Sequence, residues 1–509
     1  MPESQPDTGS VNESPFSLAE VLKGRSLVIA SNRGPVKYEA DEQGDLVATR
    51  GAGGLVTALT EVMKHADGLW VAAALTAGDR KMVRSNPEGH LVAPLDEAEL
   101  RLRYLTFDRD TFDRYYNRIS NSVFWFLNHG MWNLPMHPRF TARWRRDWDA
   151  FKEVNRIFAE ALAKEISGSE AITPVMLHDY HLTMVAQYLR ELVPSAFAYH
   201  FTHTPWAQPD MMRVLPGTMA KEILEGMLAN DLVGFQARRW SHNFMLCCQE
   251  ILGAEVDMQK GLVHHKEVST VVRDYPISID AGAVRKLAHS PEAAKHLRWL
   301  DRVLEGRQLV LRIDRLELSK NVVRGFKAYE TMLNNHPELM GQVVHVALLY
   351  PSRRAIPEYR NYEADVLAFH DEINKELGTD DWQPIVLINE DNYVRALACS
   401  RRYDVLMVNP ILDGMNLVAK EGPTVNEVDG VVVLSKNAGA WYELEYGVLG
   451  VNPYDIEEMA EALYSGLTME PEEKKRMAAL NREVIDHNTP SKWVWRQLKD
   501  ITRLHESNT

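Results

Sequence analysis

The sequence predicts an α/β chain of two doubly wound domains, on three observations: short apolar stretches that read as strands, amphipathic segments of helical period between them, and a length of 509 residues. The apolar stretches lack polar/apolar alternation, as strands of a parallel sheet covered on both faces require. One such sheet rarely uses about 480 residues, so two stacked domains are expected.

Residues 1–24 are rich in Pro, Ser, Asp, Asn and Glu without apolar periodicity and are expected to form a flexible tail. Residues 26–30 (SLVIA) read as a buried strand that empties into Ser31-Asn-Arg-Gly-Pro35, and a polar, hairpin-like stretch then leads to Arg50-Gly-Ala-Gly-Gly-Leu55 opening a helix. Further strands are predicted at 175–177, 198–201, 309–313, 343–349, 384–388, 404–408 and 431–434. Helices are predicted at 148–164, 184–192, 320–334, 359–377 and 456–468. The domain boundary is expected near Tyr275-Pro-Ile-Ser-Ile-Asp280. Ligands of open α/β sheets sit beyond the carboxyl ends of the strands, where the polar clusters of both halves fall, so a cleft between the domains is the expected site.

Composition narrows the function. Three cysteines cannot form a disulfide framework, and the adjacent Cys247 and Cys248 lack zinc-site spacing, which fits a reducing, cytoplasmic setting. No run of about 18 apolar residues and no signal-peptide pattern occurs, so neither membrane nor secretion is expected. A net charge of −14 argues against a general nucleic-acid surface, while leaving room for a small anion in a locally basic cleft.

The glycines at 51–54 can bring backbone N–H groups close to a phosphate, although a plain tight turn explains them equally well. Arg315 and Lys320, after a strand, are spaced to clamp a diphosphate, or simply to start a solvated helix. Asp413-Gly-Met-Asn416 has turn chemistry and Leu417 onward helix chemistry. The N–H groups of Met415, Asn416 and Leu417 suit an anion, and Glu421 and Asp413 suit sugar hydroxyls. His178, His181 and His203 lack an established metal spacing and read as structural or sugar-binding; no metal and no cofactor is expected. The aromatic run from Tyr115 to Trp125 reads as core with polar residues suited to carbohydrate.

Taken in order, these pieces resemble the trehalose-6-phosphate synthase family of retaining glycosyltransferases from about Ser26 to His505. The motifs are SNR (31–33), GGL (53–55), YYN..SN...W (115–125), HDYHL (178–182), H.P (203–205), GFQ (234–236), DRL..SK (314–320), PSR (351–353), DGMNLVAKE (413–421) and VNPYD (451–455). The resemblance implies a GT-B fold: two Rossmann-like domains, at 25–279 and 280–480, facing an interdomain cleft, with a helix at 481–509 returning to the first. It also implies transfer of glucose from a nucleotide-diphosphate glucose, UDP- or GDP-glucose, to glucose 6-phosphate, giving α,α-trehalose 6-phosphate without a required metal. Gly53, Gly54, Arg315 and Lys320 would then bind the donor diphosphate, and Asp413, Gly414, Met415, Asn416 and Leu417 the donor sugar and phosphate, with Glu421 on the ribose. Arg33, Tyr116, Trp125 and Arg353 would surround the acceptor phosphate, Asp179 would orient acceptor hydroxyls, and His203 would contact the donor glucose. Asp179, His203, Arg315 and Lys320 are the residues expected to carry catalysis.

The chain departs from the family pattern at several points. Ala73 replaces a usual tryptophan, Glu317 an aspartate, Asn321 and Ser278 glycines, and Leu412 an arginine. FAGA reads Asn437-Ala-Gly-Ala440. These changes resemble a divergent bacterial branch in which the donor base can be guanine, and Ala73 raises a polyol or aminocyclitol phosphate as an alternative acceptor. Met415 is kept, whereas related pseudo-glycosyltransferases lose that methionine. A catalytically silent sugar-phosphate sensor would not need all of these site residues. A homo-oligomer is compatible with the sequence, and a separate trehalose-6-phosphate phosphatase is expected in the pathway.

Overall fold

The computed structural model describes residues 26–41, 43–51, 56, 59–60, 63, 67–86, 90–95, 98–167 and 173–508. The expected tail and the glycines Gly53 and Gly54 lie outside the described residues. In the first half the strands are β1 (Ser26–Arg33), β2 (Val36–Ala40), β3 (Leu46–Arg50), β4 (Asp67–Ala73), β5 (Leu91–Leu95), β6 (Ala98–Leu105), β7 (Val175–His178), β8 (Ala198–Thr202), β9 (Leu232–Phe235), β10 (Glu255–Asp257), β11 (Leu262–His265) and β12 (Val268–Asp274). The second half adds β13 (Gln308–Leu316), β14 (Val343–Pro351), β15 (Ile385–Asn389), β16 (Val405–Val408), β17 (Val431–Ser435) and β18 (Leu449–Val451).

The first sheet has the order β10-β11-β12-β9-β8-β7-β1-β4-β6-β5, and β2 with β3 forms a separate antiparallel hairpin where the sequence reads as hairpin-like. Its core from β12 to β6 is parallel, and antiparallel strands close both edges. The second sheet is parallel throughout, in the order β15-β14-β13-β16-β17-β18. Strands β7, β8, β9, β16 and β17 are buried along their whole length, which is why they carry no alternation.

Both sheets are wound in two directions from an inner strand. In the second, the chain moves outward through β13, β14 and β15, then returns to β16 on the other side of β13. In the first, β1, β4 and β6 lie on one side and β7, β8 and β9 on the other. Each reversal leaves a crevice beyond the strand ends, β13/β16 in one sheet and β1/β7 in the other.

The helix Ala142–Ile166 buries Trp148, Phe151, Val154, Phe158 and Leu162, at the spacing of one helical face. The last helix, Pro490–Asn508, lies on the first sheet. Trp493 Nε1 donates to the Tyr275 carbonyl at 2.9 Å, Tyr199 Oη to Gln497 Oε1 at 2.7 Å, and Tyr275 Oη to Asp500 Oδ2 at 2.6 Å. Positions 493, 497 and 500 are one face of a helix, so a single stripe ties the chain's end to the first half.

Candidate active site

The β13/β16 crevice gathers the second half's cluster. After β13, Glu317 leads into a 3₁₀ turn, Leu318–Lys320, and Asn321 has φ of 59° before the helix Val322–Asn335 begins. Asparagine tolerates this left-handed conformation, which explains how it stands where relatives of this pattern have glycine. Its amide also donates to the carbonyls of Asn409 (3.1 Å) and Pro453 (2.7 Å), fixing the turn. The turn aims Lys320 across the crevice, where Nζ meets Asp413 Oδ2 at 2.6 Å; Asn416 Nδ2 reaches the same oxygen at 3.1 Å. Although burial opposes ionisation of Asp413, Lys320 outweighs it and holds the carboxyl below its usual range.

Gly414 is pressed against the first half. Its carbonyl accepts from Trp240 Nε1 at 3.0 Å, and a Cβ here would collide with the His203 carbonyl oxygen. Met415 is buried, Leu417 is half-buried, and the helix Val418–Val425 follows. Glu421 accepts from Tyr393 Oη at 2.9 Å, and burial pushes its carboxyl up. Leu412, in the place of an arginine, packs with the first half's hydrophobic cluster instead of supplying charge.

The β1/β7 crevice gathers the first half's cluster. Arg33 ends β1 and donates from Nη2 to Tyr116 Oη at 2.9 Å. Tyr116 belongs to a π-helix, Arg114–Phe124, a wide turn that recurs at functional sites. Its ring stacks between Phe112 (5.7 Å) and His181 (5.8 Å). Burial would raise its phenol, but Arg33 and Arg353 hold it below the ordinary tyrosine value. Asp179 follows β7 with φ of 73° and accepts from the His203 backbone N–H at 3.3 Å. Burial pushes its carboxyl up to about 6, against the pull of backbone donors and Arg353.

Four of the seven non-glycine residues with positive φ among the described residues belong to these two clusters: Asp179, Asn321, Arg353 and Asn416. Backbone strain of this kind is held in place only where the surroundings over-determine it, and it concentrates at active sites.

His203 is engaged at both ring nitrogens, by His178 Nδ1 (3.3 Å) and Gln236 Nε2 (3.2 Å). Gln236 Oε1 takes the Ile277 N–H at 2.9 Å, so its amide N–H faces His203 Nδ1, and the imidazole carries its own proton on Nε2. Burial lowers His203 to about 3, leaving the ring neutral. Among the described residues no group of three or more His, Cys, Asp or Glu is arranged to hold a metal, and no helix is long and apolar enough to cross a membrane.

Arg353 joins the two clusters. From the loop after β14 it donates through Nε to Asn121 Oδ1 (3.1 Å), and it lies 3.8 Å over the Trp125 ring. Trp125, expected to face a sugar, stacks on the His129 ring at 4.0 Å, lies 6.0 Å from the Tyr180 ring and is buried, so it backs Arg353. Ala73 is 1% exposed, so its side chain is covered and does not itself line the cleft. The sequence reading missed Asn121, Gln236 and Glu317 as site residues, although each lies inside or beside a motif it singled out.

Two Rossmann-like domains meeting across a cleft of cations, carboxylates and stacked rings form the GT-B glycosyltransferase architecture. The model of glycosyltransferase family 20 matches residues 25–503, and the chain belongs to that family. Among curated relatives, "Alpha,alpha-trehalose-phosphate synthase [UDP-forming]" of Schizosaccharomyces pombe is 31% identical over 487 residues, covering 94% of this chain and 90% of the relative. The enzyme of the same name from Botryotinia fuckeliana is 30% identical over 490 residues, covering 94% and 89%. Among solved structures, "Trehalose-6-phosphate from E. coli bound with UDP-2-fluoro glucose" superposes with a TM-score of 0.82 at 28% identity, covering 94% of this chain and 98% of that one. The UDP-forming α,α-trehalose-phosphate synthase of Burkholderia xenovorans in complex with glucose 6-phosphate gives a TM-score of 0.80 at 26% identity, covering 94% and 100%.

Proposed function

We propose that this protein is a retaining glucosyltransferase that moves glucose from a nucleotide-diphosphate glucose to glucose 6-phosphate, forming α,α-trehalose 6-phosphate. The observation that carries the reading is the opposition, across one cleft, of Arg315, Lys320 and Asp413 to Arg33, Tyr116 and Asp179, with Arg353 reaching over from the loop after β14 to Asn121. A donor diphosphate and an acceptor phosphate each require their own cations, and the reacting carbons then meet between them. The relatives named above carry the same activity over nine-tenths of the chain.

In this reading Arg315 and Lys320 take the diphosphate, as Gly53 and Gly54 are expected to do by the family pattern. The loop Asp413, Gly414, Met415, Asn416 and Leu417 holds the donor sugar and phosphate, and Glu421 the ribose. Neutral His203 contacts the donor glucose without adding charge. Arg33, Tyr116 and Arg353 bind the acceptor phosphate, Trp125 acts by backing Arg353, and Asp179 orients an acceptor hydroxyl. Attack occurs from the face the diphosphate leaves, and the diphosphate oxygen takes the hydroxyl proton. The protein supplies position and fixed positive charge where negative charge grows.

The test is incubation of the purified protein with glucose 6-phosphate and UDP-, GDP- or ADP-glucose, with the product identified by NMR. A 1,1-linked disaccharide phosphate is expected with at least one donor, and its absence with all three sinks the reading. Because the product keeps its phosphate, release of trehalose calls for a separate phosphatase.

A further inference from the structure

We propose that Glu317 is a positioning residue that fixes the donor-side Arg315 and the acceptor-side Arg353 relative to each other; the inference rests on the transferase reading above. Neither arginine has a second carboxylate partner among the described residues, so Glu317 is the one anion they share, although Arg353 is also held by Asn121 at 3.1 Å and by Tyr359 Oη at 3.2 Å.

Glu317 has an extended backbone immediately before the Leu318–Lys320 turn, and its side chain is wholly buried. Two hydrogen bonds, from Arg353 and Ser352, and an ion pair with Arg315 all fall on one oxygen. Oε1 lies 2.7 Å from Arg315 Nη1, 2.8 Å from Arg353 Nη1 and 2.7 Å from Ser352 Oγ, while Oε2 is buried without a hydrogen-bond partner. Arg315 comes from the end of β13 and Arg353 from the loop after β14, so the shared oxygen spans two adjacent strand ends. The same pair flanks one indole: Arg353 is 3.8 Å and Arg315 5.6 Å from the Trp125 ring centroid.

Two guanidiniums this close repel, and a carboxylate between them removes that repulsion while leaving both N–H forks directed. Glu317 therefore sets the spacing at which two anions are received. Its contribution belongs to geometry and not to attraction, since a negative charge behind the two cations weakens their hold on phosphates. The kinetic signature follows. Losing the charge frees the arginines to bind both substrates at least as well, yet in poses less suited to reaction, so kcat falls without a rise in KM.

The experiment measures kcat and both KM values of the full chain for wild type, Glu317→Gln and Glu317→Asp, with folding followed by circular dichroism and thermal melting. Glu317→Gln keeps the shape and removes the charge, and kcat is expected to fall roughly tenfold or more with neither KM rising above about twofold. Glu317→Asp keeps the charge but draws the oxygen back by one methylene, out of reach of at least one guanidinium. Its kcat is expected to fall about threefold, between the other two proteins, again with both KM values kept. Wild-type kcat in a folded Glu317→Gln protein overturns the proposal, as does a rise in KM with kcat unchanged. Should Glu317→Gln not fold, Glu317→Asp decides alone, and wild-type kcat there overturns it. Wild-type protein that forms no disaccharide phosphate brings down the transferase reading first, and this inference with it.

Discussion

Lys320 Nζ donates to Asp413 Oδ2 at 2.6 Å, so the ammonium beyond β13 is tied to the carboxylate beyond β16 across the point where the sheet reverses direction. Each charge stabilises the other against burial. Lys320 is held above and Asp413 below its ordinary pKa, and both are ionised at neutral pH. The crevice thus carries a fixed cation before any substrate arrives, which spares reorganisation as charge develops on a departing phosphate.

Lys320→Ala is therefore expected to lower kcat on the order of 10²- to 10³-fold, the range for removing one fixed donor from a charge-stabilising site. Steady-state kinetics at varied donor concentration checks this. A raised donor KM with kcat unchanged would assign Lys320 to ground-state binding alone.

Gly414 has no room for a side chain. A methyl there would meet the His203 carbonyl, which is backbone and cannot swing aside, so Gly414→Ala is expected to push the two domains apart. Activity should be nearly lost while each domain stays folded, and small-angle scattering should show a larger radius of gyration. The control is Gly217→Ala, at a helix start with open space around it, which should leave both readouts unchanged.

Asp179 gives the pH dependence a sign. Its folded value of about 6 lies above the roughly 3.9 of an unfolded aspartate. The native state therefore binds the extra proton between those values, and stability is lost as pH rises through that window. Activity runs the other way, because only the carboxylate can accept from a hydroxyl. The acceptor phosphate ionises near pH 6 as well. In wild type, log kcat/KM should thus climb with a slope approaching two below that pH, and in Asp179→Asn with a slope approaching one. Equal slopes would remove Asp179 from the profile.

The three cysteines should be inert in the native protein. All are buried and free; burial pushes Cys247 and Cys399 up to about 12 and raises Cys248 as well. A thiol reagent at pH 8 should titrate none of them until denaturant is added, and activity should survive the treatment.

Much of the fold can be read along the chain because each element is set by local period and burial. The helix Ile456–Thr468 falls where its apolar spacing places it, and β13, β14, β16 and β17 where continuous apolar runs do. The start of the helix after β13 is less legible. The amphipathic pattern begins at Lys320, but the helix begins at Val322, because Asn321 turns left-handed to swing Lys320 toward Asp413. Strand β1 likewise runs on through Arg33, since Ser31 and Arg33 pair with Ala72 and Ala73 on either side of an irregularity at Asn32, where their polarity suggests a loop. Glu317 gave no signal beyond its place in a motif, because its partner Arg353 is 36 positions away.

By itself the sequence determined the strand and helix order, the family motifs and the cations Arg33, Arg315, Lys320 and Arg353. These follow from side-chain chemistry and spacing over a few residues. Tertiary structure decided which groups share a partner and what charge each carries. Glu317 binds two arginines with one oxygen, Trp125 backs Arg353 with its ring, His203 is neutral, and Asp179 titrates near 6. The reason is physical: ionisation and pairing depend on desolvation and on neighbours brought close by folding, and neither is a property of residues adjacent in the chain.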